Sequence, residues 1–226
     1  MAARVRGEDA RMFHRLWALT LAGVLVAGCE TPPKLDLQLN ENLYRPTGYK
    51  AKHSTGRSVY VAPIVDARQP PPVAAGDAIG YLSDDDWDRA PGVMVQSVLV
   101  DELRASGLFA EVLDEPDPDA IELVPTLKTF EGGLHEQPFG RRSLARVEIA
   151  LAARGPEVAG ARGVLLEETF GAQQISNVDF RPPSPRVLLG TGLRTALGKG
   201  IAALDKAATA VTAMPTRPAE ASSTKR

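Results

Sequence analysis

The chain has 226 residues, with 26 basic against 28 acidic side chains for a net charge of −2, and one cysteine. That balance does not favour nucleic acid, whose phosphates demand a basic patch, and a lone cysteine permits no disulfide within the chain. The length suits one domain with tails.

The first 28 residues read as a secretory signal. Arg4, Arg6, Arg11 and Arg15 precede an uncharged apolar run from Leu16 to Gly28. A basic segment, a short apolar segment and small residues at the cut make such a signal. The run is too short to span a bilayer, which needs about 20 apolar residues. Glu8 and Asp9 are unusual ahead of a signal, and a start at Met12 gives a compact basic lead. Val26-Ala27-Gly28-Cys29 resembles the lipobox read by lipoprotein-processing enzymes. The resemblance implies that the Cys29 sulfur takes a diacylglycerol, that the chain is cut after Gly28, and that the new amino terminus is acylated. One acyl chain binds a membrane only marginally, whereas several hold it. Glu30 stands where an inner-membrane retention signal would place Asp, which points to the outer membrane. The mature chain would keep 22 basic and 26 acidic side chains.

Residues 29–57 read as a flexible tether, polar and without helical or strand period. Val59 to Val65 is β-branched and aromatic, so a strand is expected, with Pro63 arguing for an edge position or a bulge. Residues 66–90 form a long loop carrying Asp84-Asp85-Asp86-Trp87-Asp88. A helix is expected from Pro91 to Ser106, with Met94, Val95, Val98, Leu99 and Leu103 on one face. Pro91 suits the first turn, and Gly107 suits a left-handed cap with Leu108 as its apolar contact. Strands follow at 108–113 and 121–130. Alternation over 145–154 and the run 164–172 predict a long antiparallel hairpin. A last helix spans about Arg186 to Ala208, with Leu189, Leu193, Leu197, Ile201 and Leu204 on one face. Gly190, Gly192, Gly198 and Gly200 are unfavourable inside a helix, unless they let it lie close against a sheet. The tail 210–226 reads as disordered. The expected domain, 58–209, is therefore α+β: about five mostly antiparallel strands with two helices on one face, in the order β-α-β-β-β-β-α.

The search for chemistry returns little. His14, His53 and His135 have no metal-ligand spacing. There is no nucleophile elbow and no phosphate loop, so neither an enzyme nor a cofactor is expected. The acidic run 84–88 lacks the central Gly and distal Glu of a calcium loop and reads as a solvated charge run. Arg141-Arg142 reads as a hairpin-entry charge pair. Trp87 either packs back over the core or anchors a partner, since Trp is enriched at binding hot spots. Trp87 and Tyr81 are the candidate partner-binding residues.

The chain resembles the ABC-type transport auxiliary lipoproteins of the PqiC kind. The resemblance rests on Val59-Tyr60-Val61-Ala62-Pro63, Trp87, the passage Val98 to Val112 with Ser106-Gly107-Leu108-Phe109, and the hairpin ending Glu168-Thr169-Phe170. It covers about residues 58–208. The same passage is similar to other α/β envelope lipoproteins: penicillin-binding-protein activators, the lipopolysaccharide-assembly lipoprotein and the amino-terminal domain of the Tol-system β-propeller protein. The Pro-rich, acidic loop 66–90 departs from the PqiC type. The resemblance implies a periplasmic, lipid-anchored, non-enzymatic auxiliary of an envelope lipid-transport complex; the alternative is a regulator of peptidoglycan synthesis or another outer-membrane assembly factor.

Overall fold

The computed structural model describes residues 34–40, 43–69 and 78–212. Seven strands and two helices follow one another: β1 (Ser58–Val61), β2 (Val65–Asp66), β3 (Ala78–Tyr81), a 3₁₀ turn (Asp84–Asp86), α1 (Pro91–Ser106), β4 (Glu111–Leu113), β5 (Ile121–Gln137), β6 (Gly140–Val158), β7 (Ala161–Ile175) and α2 (Pro185–Thr212). The strands form one mixed sheet in the order β4-β1-β5-β6-β7, with β2 and β3 also paired to β5. β4, β1 and β2 run parallel to their neighbours, whereas β3, β5, β6 and β7 meet antiparallel. The fold is the expected α+β domain, with more strands than anticipated.

Alternation explains which face of the sheet is covered. Ser143, Ala145, Val147, Ile149, Leu151 and Ala153 of β6 are buried, and the residues between them are not. On β5 the buried set runs Ile121, Leu123, Pro125 and Leu127, then switches to Phe130. The switch from odd to even numbers comes from one extra residue, Lys128: Leu127 pairs with Ile149 and Thr129 with Glu148. Because side-chain direction has a period of two, that bulge is what turns Phe130 inward.

Helix α1 matches its expected span, and all five apolar residues of its predicted face are 0–2 % exposed. Gly107 closes it at φ 67°, and Leu108 behind the cap is buried. Helix α2 places Leu189, Leu193, Leu197, Ile201 and Leu204 in the core. By length and apolarity it could cross a membrane, but it lies on β5, β6 and β7. Its glycines explain the close approach. A Cβ at Gly192 would stand 3.2 Å from Val147 Cγ2, and one at Gly200 would stand 2.8 Å from Leu151 Cδ1.

Three expectations need correction. First, β1 is not an edge strand, since it lies between β4 and β5. The bulge alternative fits: between Val61↔Leu123 and Val65↔Thr126 the β1–β2 chain advances four residues while β5 advances three. Pro63, with no N–H to donate, falls in that extra step. Second, the loop 66–90 contains the end of β2, all of β3 and the 3₁₀ turn, and the β5–β6 hairpin continues past Phe130 to a turn at 138–139. Third, the described part of the tether is no tether. Leu37 is 1 % exposed and Leu43 8 %, and residues 35–40 and 43–51 form a strap across the helices.

Candidate functional site

The strap's first half is fastened to the 3₁₀ turn and α1, and its second half finds partners on both α1 and α2. It begins beside the 3₁₀ turn, where Leu35 N–H donates to the Asp86 carbonyl (3.3 Å) and the Leu35 carbonyl accepts from Asp88 N–H (2.8 Å). Asp36 makes the next turn: its carboxylate accepts from the Gln38 and Leu39 amides and from Arg89 Nε at 2.6 Å. Arg89 and these amides hold the Asp36 carboxyl below its ordinary value against the opposing effect of burial. Gln38 donates to Asp101 and accepts from Arg89 and Ser97.

Glu102 is the central fastening. It is buried on α1, where an unpaired carboxylate would be costly. The strap supplies its partners: Tyr44 Oη and Thr47 N–H both donate to Oε1 at 2.8 Å, and the Thr47 hydroxyl donates to Oε2. Burial and the Glu102 carboxylate push the Tyr44 phenol well above its ordinary value. On the α2 side, a Cβ at Gly190 would lie 1.5 Å from the Leu43 carbonyl oxygen, so only glycine admits the strap there. Tyr49 Oη donates to Asp205 at 2.6 Å. The strap ends as Ala51 N–H bonds the Ser106 carbonyl at the end of α1. A cavity of about 280 Å³ remains beneath it, lined by Leu37, Tyr44, Pro46, Val98 and Ala105 among others.

Trp87 lies under the start of the strap. It is 3 % exposed and packs on Phe130, ring centroids 5.6 Å apart. Its reading as a partner-binding anchor is therefore corrected: the indole is part of the core, covered by Leu35. Tyr81 is at the end of β3, paired with Gly133 of β5. The acidic run is more than a solvated stretch. Arg68 makes paired hydrogen bonds to both Asp66 and Asp84, at 2.8–2.9 Å. Asp86 caps the turn at Ser83 N–H and pairs with Arg186 of α2 at 3.0 Å. The described residues contain no group of three His, Cys, Asp or Glu that could hold a metal ion. Cys29 and Gly28 lie outside the described residues.

The β5–β6 hairpin forms the second distinctive feature. Leu189 in the first turns of α2 lies over Gly132, and the hairpin runs on beyond that point to Gln137↔Gly140. Arg141 exchanges two backbone hydrogen bonds with Asp179, at 2.8 and 2.9 Å, which brings the segment after β7 alongside. This arm ends in exposed apolar side chains: Phe139 at 87 %, Phe180 at 85 %, Ile175 at 53 % and Val178 at 40 %. Arg141 and Arg142 sit at the hairpin entry, as their sequence position suggests.

No family model and no curated protein sequence matches the chain. Among solved structures it is similar to a Xanthomonas campestris protein described under the DUF330 family, at TM-score 0.53 and 15 % identity, covering 75 % of this chain and 94 % of that one. It is also similar to a hypothetical protein of Chlamydia trachomatis, at TM-score 0.45 and 9 % identity, covering 69 % and 99 %. At 15 % identity the likeness to the Xanthomonas protein is one of fold.

Two structural features, the strap and the arm end, escaped sequence reasoning. Leu35, Leu37, Leu43, Tyr44 and Tyr49 recur through the strap without a regular period, and that recurrence was the available signal. For the arm, Gly132-Gly133 and Pro138 interrupt the alternation that would have extended the strand.

Proposed function

We propose that the chain is a lipid-anchored protein of the periplasmic face of the envelope, acting as a non-enzymatic adaptor or auxiliary component of a lipid-transport assembly. The observation that carries this reading is the sequence Val26-Ala27-Gly28-Cys29 behind a basic and then apolar leader, set six residues ahead of Leu35, where the strap begins. A strap fastened to both helices makes an acylated Cys29 an anchor for the whole domain rather than for a loose tail. Glu30, in place of the retention Asp, favours the outer membrane. An anchored domain shares a thin layer with any membrane-bound partner, which raises its effective concentration, so a small interface suffices. The architecture supports this reading through its fasteners. The buried carboxylate, Glu102, stands in the wall of the cavity beneath the strap, where Tyr44 and Thr47 take up its oxygens.

The test has two parts. Cys29→Ala should accumulate as an uncut, unacylated precursor; normal maturation and membrane retention of that variant would overturn the anchor. Crosslinking of the native chain in intact cells should recover a lipid-transporter component. Recovery of a peptidoglycan synthase without any transporter component would overturn the adaptor role.

A further inference from the structure

Two independent features meet at one end of this domain. The strap enters beside Asp86, which pairs with Arg186 in the first turn of α2, and then runs along α2 past Gly190 to Asp205. The first described residue, Lys34, is therefore at the α2 N-terminal end. The hairpin arm extends from that same end, because Leu189 of α2 lies over Gly132 and the arm continues to Gln137. Lys34, the described residue nearest to Cys29 in the chain, and the end of the arm are thus on the same side of the domain's core.

The lengths agree. Cys29 precedes Leu35 by six residues, which span at most about 20 Å when extended. Leu35 bridges Trp87, and Trp87 packs on Phe130. From Phe130 to Gln137 the strand advances seven residues, about 24 Å at an ordinary strand rise. A membrane that holds Cys29 is therefore within reach of the arm end.

The composition of that end suits a lipid surface. Phe139, Phe180, Ile175 and Val178 are exposed together, at odds with the burial of every other phenylalanine among the described residues, Phe109, Phe130 and Phe170. Exposed Arg141 and Arg181, with the partly buried Arg142, flank them in the chain, against Glu136 and Asp179, so the end carries a small local excess of positive charge on an acidic chain. Apolar side chains flanked by arginines are what an interfacial segment presents to anionic headgroups. We infer that the β5–β6 arm end, led by Phe139 and Phe180, seats in the headgroup layer of the membrane that carries the Cys29 anchor, giving the domain a second contact and a fixed orientation. This inference rests on the lipid-anchor reading above.

Cys29 is the only cysteine, so once it is acylated Phe139→Cys supplies the only thiol for an environment-sensitive dye. The full lipidated chain would be reconstituted in phosphatidylethanolamine–phosphatidylglycerol vesicles containing spin-labelled lipid. A dye at Phe139→Cys should lose more than half its emission to the spin label. One at Val164→Cys, beside the opposite turn of the sheet, should lose little. Adding Arg141→Ser and Arg181→Ser, or omitting the anionic lipid, should reduce the quenching at 139 at least twofold. If the chain floats with the vesicles and the dye at 139 remains unquenched, the inference fails while the anchor stands. A blue-shifted but unquenched dye would mean that the arm end is covered by protein, which equally overturns it. If the parent chain itself takes dye at Cys29 and does not float, the anchor reading fails and this inference with it.

Discussion

The strap and the arm leave the same end of the domain and meet opposite fates. The strap turns back over the helices, where Glu102, Gly190 and Asp205 form a seat matched to its backbone and hydroxyls. The arm runs outward past the start of α2, and its phenylalanines cover nothing. The difference shows that burial here follows the shape and polarity of the receiving surface rather than the apolarity of the segment received. Asp36 of the strap is buried because Arg89 and two backbone amides take up its carboxylate, whereas the aromatic end stays exposed among the described residues.

The largest expected effect is at the strap's entry. Trp87→Ala removes an indole packed on Phe130 under Leu35, and such truncations cost about 3–5 kcal/mol. Thermal unfolding should show a large fall in Tm. An unchanged Tm would return Trp87 to the surface role that its polar neighbours suggest. Next comes the seat on α2. In an exposed helix, Gly→Ala gains about 1 kcal/mol. At Gly190 the new methyl would meet the Leu43 carbonyl at 1.5 Å, and overpacking of this kind costs about 1–3 kcal/mol. The variant should be destabilised, with trypsin cutting at Arg45, Lys50 or Lys52. A more stable Gly190→Ala protein would show that the strap does not occupy this seat.

These two positions also mark the limits of reading this chain from its residues. Helix α1 was legible to its last residue because periodicity, Pro91 and Gly107 all state the same local rule. The β6 core face was legible because strand alternation needs no knowledge of the partner. The strap was not, since its burial depends on Glu102 and Gly190, which are 58 and 147 positions from Tyr44 and Leu43. Polar residues without a period look like linker until their acceptors are known. The helix glycines did signal close approach, and Gly192 and Gly200 meet the sheet as expected. Nothing local distinguished Gly190, which meets the strap. Trp87 misled for the same reason: its neighbours are acidic, but Asp84 and Asp86 pair with Arg68 and Arg186, while the indole turns inward.

Smaller effects separate the strap's fasteners. Glu102→Ala leaves Tyr44 Oη and Thr47 N–H without their acceptor, about 1–3 kcal/mol for buried donors left unmade. Combining it with Tyr44→Phe should cost less than the sum, because the two share one bond. Acid should act at the strap's start. Asp36 is held below its ordinary value by Arg89, and Asp86 by its hydrogen bonds to Ser83 with Arg186 adding to them. A depressed folded-state value means stability present above the unfolded value, about 3.9, and lost as pH falls through the lower folded one. Melting curves between pH 7 and pH 2 should therefore fall below about pH 4, and Asp36→Asn should flatten part of that fall. An identical slope in the variant would remove Asp36 from the account.

The arm end should give the smallest effect of all, and that is its value as a test. Phe139 and Phe180 are exposed at 87 % and 85 %, so replacing both by Ser deletes almost no intramolecular contact. Surface changes of this kind stay within about 0.5 kcal/mol of zero, and exchanging aromatic for hydroxyl surface in water should raise solubility. Aromatic side chains are costly to keep on a soluble surface, because exposed apolar patches invite association. A fold that gains nothing from them internally holds them for something outside itself. If Phe139→Ser with Phe180→Ser instead lowers Tm by several degrees in solution, the two rings are packing on this domain or on a second copy. The contrast between a strap that stabilises the fold and an arm that serves contacts beyond it would then collapse.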